Sequence, residues 1–169
     1  MPTLRVKRKQ QNSKMCLVCG LQNPYGLKTS FYELENGEVV GLFTPADHHQ
    51  GYPDRMHGGM AAAILDETIG RAINAGRDNA LWGVTLEFTV RFKKPVPLDG
   101  ELRVVGRVTK ETSRTFEGTG EILLKDGTVA VTGHGTYLKL PIEKIADFDA
   151  VEQQWKVIPS ESDPNTIEM

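Results

Sequence analysis

The sequence predicts an α+β domain in which an antiparallel sheet of about six strands wraps around one apolar helix. Residues 60–75 are free of proline, rich in Ala, Ile and Leu, and stop at Gly76, which marks the one strong helix. In residues 84–92, Val84, Leu86, Phe88, Val90 and Phe92 alternate with polar neighbours, the period of a half-buried strand. Asn36-Gly37 and Asp126-Gly127 are hairpin turn signals that join strands in pairs.

Taken in order, residues 26–34 read as a strand, Asn36-Gly37 as a two-residue turn, and residues 38–44 as the returning partner. Residues 45–56 carry Pro45, Gly51, Pro53 and the pair His48-His49, the composition of an irregular loop that covers or lines a site. The helix follows, then strands over residues 84–92, 102–109, 115–124 and 128–140. Short turns between consecutive strands favour antiparallel pairing, and a lone apolar helix needs such a sheet around it to bury both surfaces.

The chain has 169 residues, 39% hydrophobic and 25% charged, which suits one domain burying about 68–70% of its unfolded surface. No apolar run approaches the ~20 residues that span a bilayer, and no charged-then-apolar leader opens the sequence, so a soluble cytoplasmic protein is expected. Two cysteines, Cys16 and Cys19, are too few for a disulfide framework. The net charge of -2 hides an asymmetry. Arg5, Lys7, Arg8, Lys9 and Lys14 lie in a first stretch without acids, whereas acids dominate residues 143–169. The expected organisation is a basic flexible arm over 1–14, a domain over 15–140 and an acidic tail over 141–169. Without aromatic interleaving or a recognition-helix pattern, the arm is expected to be solvated rather than bound to nucleic acid.

Chemistry concentrates at the helix start. Gly58 and Gly59 leave the first backbone N–H groups unobstructed at the positive end of the helix dipole, where an oxyanion would be stabilised. On the helix, Asp66 shares a stripe with Ala62, Ile69 and Ile73, which puts a carboxylate on an otherwise apolar face. Burial of a carboxylate is costly, so Asp66 is either satisfied by hydrogen bonds or kept for chemistry. Glu67, with Arg71 at i+4, reads instead as a solvated surface pair of little weight.

The run from His57-Gly58-Gly59 to Asp66 resembles the HGG(x6)D signature of hotdog-fold acyl-CoA thioesterases of the phenylacetate-pathway type. Cys16-Leu17-Val18-Cys19-Gly20 through Asn23-Pro24-Tyr25-Gly26-Leu27 is similar to the family's lead-in segment, and Phe92-Lys93-Lys94-Pro95-Val96 to its strand-ending turn. The resemblance covers about residues 16–140. It implies hydrolysis of an acyl-CoA thioester, with the Gly58 N–H polarising the carbonyl and Asp66 as nucleophile or general base. It also implies a site shared across a dimer interface, as a homodimer or dimer of dimers. Gln50 is then the candidate loop amide, Thr85 a hydroxyl that orients water, and His57 a supporting contact. Gly59, Lys93, Lys94 and Arg114 are candidates for binding the CoA moiety, and no cofactor beyond the CoA of the substrate is expected.

Two other functions belong to the same resemblance: a non-catalytic acyl-CoA sensor, raised by the basic arm, and a hydratase or dehydratase, which would pair a His with an acid. His48, His49 and His134 are expected to serve surface or packing roles. Cys16-x-x-Cys19 supplies half of a zinc knuckle, but no second pair of ligands is evident, so a packed thiol pair and no metal are expected.

Overall fold

The computed structural model describes residues 1–78 and 81–169. Its strands are β1 (Thr3–Lys9), β2 (Ser30–Leu34), β3 (Val39–Phe43), β4 (Gln50–Tyr52), β5 (Arg55–Met56), β6 (Trp82–Phe92), β7 (Leu102–Glu111), β8 (Thr115–Leu123), β9 (Val129–Leu140) and β10 (Thr166–Glu168). The helix α1 spans Gly58–Arg71 and runs into a 3-10 turn at Ala72–Asn74. An eight-stranded antiparallel sheet, ordered β10-β1-β2-β3-β7-β8-β9-β6, packs on α1 through β3, β6, β7, β8 and β9, which is the hotdog arrangement.

The sheet has eight strands rather than six because the two ends of the chain join it. Residues 3–9, expected as a flexible arm, pair with β2 on one side and with β10 on the other. Alternation explains this: Leu4 and Val6 turn inward and pack with Tyr32, Leu34, Val40 and Ile167. The charges that suggested a solvated arm lie on the other face or are paired. Arg5 meets Glu35, Arg8 meets Glu33 at 2.7 Å, and Lys9 meets Asp163 of the acidic end at 2.6 Å. Farther along that end, Trp155 packs edge-on to Trp82 with ring centroids 5.1 Å apart.

Both hairpin signals hold, the first with a one-residue correction and the second as expected. Leu34 pairs with Glu38 across residues 35–37, and Leu124 with Thr128 across 125–127, so the loops have three residues. Gly37 (φ 85) and Gly127 (φ 80) take the left-handed position that closes such loops. The preceding side chain secures each turn, with Asn36 Oδ1 accepting from the Glu38 N–H and Asp126 Oδ1 from the Thr128 N–H. Residues 26–29 lie outside β2 because their backbone serves the lead-in segment: the Leu27 N–H donates to the Leu17 carbonyl and the Thr29 N–H to that of Val18.

A row of glycines lets the helix approach the sheet. Gly106 of β7, Gly120 of β8 and Gly133 of β9 stand in register as neighbours. A Cβ at Gly106 would lie 2.7 Å from the Thr68 carbonyl oxygen, and one at Gly120 2.9 Å from Ile69 Cγ1. Ile64, Leu65 and Ile69 are buried against this floor. Among the described residues no helix is long and apolar enough to cross a membrane.

Because the obstacle at Gly106 is main chain, which cannot swing aside, Gly106→Ala is expected to destabilise the fold by about 1–3 kcal/mol. Urea unfolding of the variant beside the wild type measures this.

Candidate active site

The helix start is organised by His57. Its carbonyl accepts from the Met60 and Ala61 N–H groups, and its Nδ1 accepts from the Gly59 N–H at 2.8 Å, which caps α1. Accepting at Nδ1 leaves the proton on Nε2, so His57 presents a donor outward. The Gly58 N–H finds no acceptor among the described residues and remains an open donor at the helix N-terminus. A Cβ at Gly58 would lie 3.3 Å from the ring of Phe92, so the chain narrows there to a glycine under an aromatic ring.

The preceding loop is braced by histidines. Buried His49 accepts from the Ala46 N–H at Nδ1 and donates from Nε2 to the Tyr25 carbonyl at 2.7 Å, and burial lowers its pKa and keeps it neutral. The His49 carbonyl accepts from the His57 N–H at 2.8 Å, which ties the loop to the helix start. Gln50, next in sequence, lies exposed on β4 opposite Met56.

Asp66 lies farther along α1, half-buried. Its Oδ1 accepts from Thr85 Oγ1 of β6 at 2.8 Å and from the Tyr137 hydroxyl of β9 at 3.1 Å. Desolvation raises its pKa, the two hydroxyl donors pull it back down, and the neighbouring Glu67 charge raises it again; the net shift is upward. The folded chain therefore holds this proton more tightly than the unfolded chain. The stability linked to it is whole below the ordinary carboxylate pKa and falls as pH rises through the elevated one. Tyr137 is the partner that sequence reasoning missed; its ring is buried and stacked on Phe116, with centroids 4.9 Å apart, and it reaches Asp66 only once the sheet closes on α1.

The expected site residues thus fall into two groups. Gln50, His57, Gly58 and Gly59 gather at the start of α1, and Asp66 and Thr85 gather near its middle. Gly58 and Asp66 are eight helical positions apart, about 12 Å along the axis, too far to act on one carbonyl within a single chain. Lys93 and Lys94 are exposed after β6, their N–H groups donating to the Ala130 carbonyl, whereas the Arg114 carbonyl accepts from the Lys139 N–H. These anchors are nine positions apart on β9, about 30 Å, so one chain cannot bring all three cations to one phosphate.

The Glu67–Arg71 pair is not a solvated surface pair: Arg71 is buried and Glu67 half-buried. The Arg71 side chain is 3% exposed, donates to Glu67 Oε1 at 3.0 Å and to the Gln11 carbonyl at 3.0 Å, and lies 4.3 Å from the Phe31 ring. A cavity of about 280 Å³ opens beside it, lined by Cys16, Cys19, Asp66, Glu67, Trp82 and Thr85. A larger cleft, about 460 Å³, between Lys28, Tyr32, His48 and Glu101, holds none of the expected site residues.

A central helix inside an antiparallel hotdog sheet, with an open N–H at its start and a hydrogen-bonded carboxylate on its flank, defines a class that comparison with known proteins identifies. Residues 54–131 match the model of the thioesterase superfamily. The chain is 30% identical over 116 residues to mouse acyl-coenzyme A thioesterase THEM4, covering 68% of this chain and 48% of that protein. It is 26% identical to human acyl-coenzyme A thioesterase THEM5, covering 68% of this chain and 45% of that one. It therefore spans about half the length of the curated relatives it matches. A solved thioesterase superfamily protein aligns with TM-score 0.65 and 30% identity, over 73% of this chain and 59% of that one. A Bacillus halodurans protein solved with CoA shares the fold at TM-score 0.60 and 21% identity, over 68% and 75% of the two chains. The chain belongs to the hotdog-fold thioesterase superfamily.

Thr85→Ala removes a donor that favours ionised Asp66, so the acid limb of the kcat/KM profile is expected to move up by about one pH unit. Tyr137→Phe should move it in the same direction. An unmoved limb in both variants would show that the titrating group is not Asp66.

Proposed function

We propose that the protein hydrolyses acyl-CoA thioesters to a carboxylic acid and CoA, in the manner of the phenylacetate-pathway type, at sites shared between two copies of the chain. The observation that carries this reading is the pairing of an unsatisfied Gly58 N–H at a helix start with an Asp66 carboxylate poised between desolvation and two hydroxyl donors. The likeness to acyl-coenzyme A thioesterases and the CoA in the Bacillus halodurans structure support it.

In this mechanism the thioester carbonyl oxygen accepts from the Gly58 N–H of one chain, and the helix dipole stabilises negative charge as the tetrahedral intermediate forms. Asp66 of the other chain attacks the carbonyl carbon or takes the proton from attacking water, with Thr85 orienting the reactive oxygen. The C–S bond breaks and CoA thiolate leaves and collects a proton; where Asp66 was the nucleophile, water then hydrolyses the acyl–Asp66 anhydride, releasing the acid and restoring the carboxylate. His57 Nε2–H and the Gln50 amide lie on the Gly58 side and contact the thioester there, while Lys93, Lys94 and Arg114 meet CoA phosphates from separate ends of the sheet. No cofactor enters, and the free thiols of Cys16 and Cys19 suit a reducing cytoplasm.

The position of β6 supports a shared site. It is the edge strand farthest from β10 and exposes Leu86 (59%) and Phe92 (56%). Thr85 lies toward one end, beside Asp66, and Phe92 at the other, over Gly58. Pairing two β6 edges antiparallel about a two-fold axis sets the Asp66 end of each chain toward the Gly58 end of its partner. The sensor reading loses its motive, because Arg5, Arg8 and Lys9 are spent on carboxylates within the sheet.

Asp66→Asn is expected to lower kcat at least ~100-fold across an acyl-CoA panel with folding intact. Gly58→Pro is expected to cost at least about 10²–10³-fold, because it removes the open N–H at a position where proline suits the helix, while its ring also crowds Phe92. Mixing these two inactive variants under conditions of subunit exchange is expected to restore about a quarter of wild-type activity, because each mixed dimer keeps one intact site. Undiminished turnover in Asp66→Asn would overturn the mechanism, and failure of the mixture to recover activity would overturn the shared site.

A further inference from the structure

The thiol pair that sequence alone leaves as a packed remnant acquires a third ligand in the fold. Cys16, Cys19 and Glu67 bring Sγ, Sγ and a carboxylate oxygen within 4.8 Å of one another. Glu67 lies 51 residues from Cys16, yet Cys16 Sγ is 3.1 Å from its Oε2. Ligands around a tetrahedral zinc-sized ion stand about 3.5–3.8 Å apart, so side-chain rotations alone bring these three to an ion.

The backbone is already arranged as a metal knuckle. The Val18 and Cys19 N–H groups both point at Cys16 Sγ, each at 3.4 Å, which stabilises negative charge on that sulfur. The turn is tight enough that a Cβ at Gly20 would lie 2.4 Å from the Cys16 carbonyl oxygen, so only glycine can follow the second cysteine. Ser13 Oγ lies 3.6 Å from Cys19 Sγ. Charge closes as well. Two neutral thiols, ionised Glu67 and the Arg71 cation sum to zero, and so do a divalent ion, two thiolates, Glu67 and Arg71. Glu67 keeps Oε1 on Arg71 while Oε2, now facing the Cys16 thiol, turns to the ion.

We propose that Cys16, Cys19 and Glu67 bind a thiophilic divalent cation of the zinc class, clamping the lead-in segment to α1 beside Asp66. Binding displaces both thiol protons to solvent and changes no oxidation state. The fourth coordination position faces the cavity that Asp66 and Thr85 also line, so it is filled by water from that cavity. The site does not depend on the hydrolytic reading, and its test does not use turnover.

The 169-residue chain, kept reduced with a phosphine, is titrated with Co²⁺ as a spectroscopic stand-in for zinc. One ion per chain is expected, with a thiolate-to-cobalt charge-transfer band, intense tetrahedral d–d absorption, and loss of both when equimolar Zn²⁺ is added. Cys16→Ser and Cys19→Ser should each abolish the band. Wild-type thermal unfolding, which needs no variant, should shift upward with Zn²⁺ and return with a chelator. Absence of the charge-transfer band in the wild type, its persistence in Cys16→Ser, or an unchanged wild-type melting temperature with Zn²⁺ would each overturn the site and leave a hydrogen-bonded thiol pair.

Discussion

The close seat of α1 on the glycine row of β7, β8 and β9 is the constraint from which the rest of the molecule follows. With Gly106, Gly120 and Gly133 in register, Thr68 and Ile69 approach the sheet main chain at distances no side chain would allow. The helix must then be apolar on that face, which accounts for Ile64, Leu65 and Ile69. The same seat fixes the rotation of α1, and with it the direction in which Asp66 points. As seated, it meets Thr85 and Tyr137 from two different strands.

Asp66 is held between burial and solvation. Full burial would keep the carboxyl protonated, and full exposure would leave it an ordinary acid. The observed site lies between: desolvation lifts the pKa and two hydroxyls restrain it. Ionising the carboxyl costs the fold some stability, which the surrounding apolar packing offsets. Tyr137 contributes to both sides of this balance, since its ring stacks on Phe116 while its hydroxyl holds the carboxylate.

The buried Arg71 gives a second example of a helix residue whose role lies off the helix. Spacing alone reads Glu67–Arg71 as an i,i+4 surface pair, and the ion pair does form at 2.9 Å. The chain ends decide its burial: Gln10 and Gln11, leaving β1, fold over the guanidinium, and Phe31 backs its face. That cover exists because β1 is a strand. Composition points to a solvated arm there, and Leu4 and Val6 have no partner until β2 and Ile167 arrive.

What the sequence by itself determined is local: the helix and its apolar stripe, the strands of the central sheet, both hairpin turns, and the pairing of a glycine helix start with an acid at Asp66. These depend on spacing and residue type, which the chain carries wherever it goes. Only the tertiary structure decided that the two ends add strands to the sheet, that Tyr137 shares Asp66 with Thr85, that Gly58 and Asp66 stand about 12 Å apart in one chain, and that Glu67 joins the cysteine pair. Each of these brings together residues far apart in sequence or measures a distance across the fold, and no local period or propensity encodes such a meeting. It is set by which surfaces bury one another when the sheet closes around the helix.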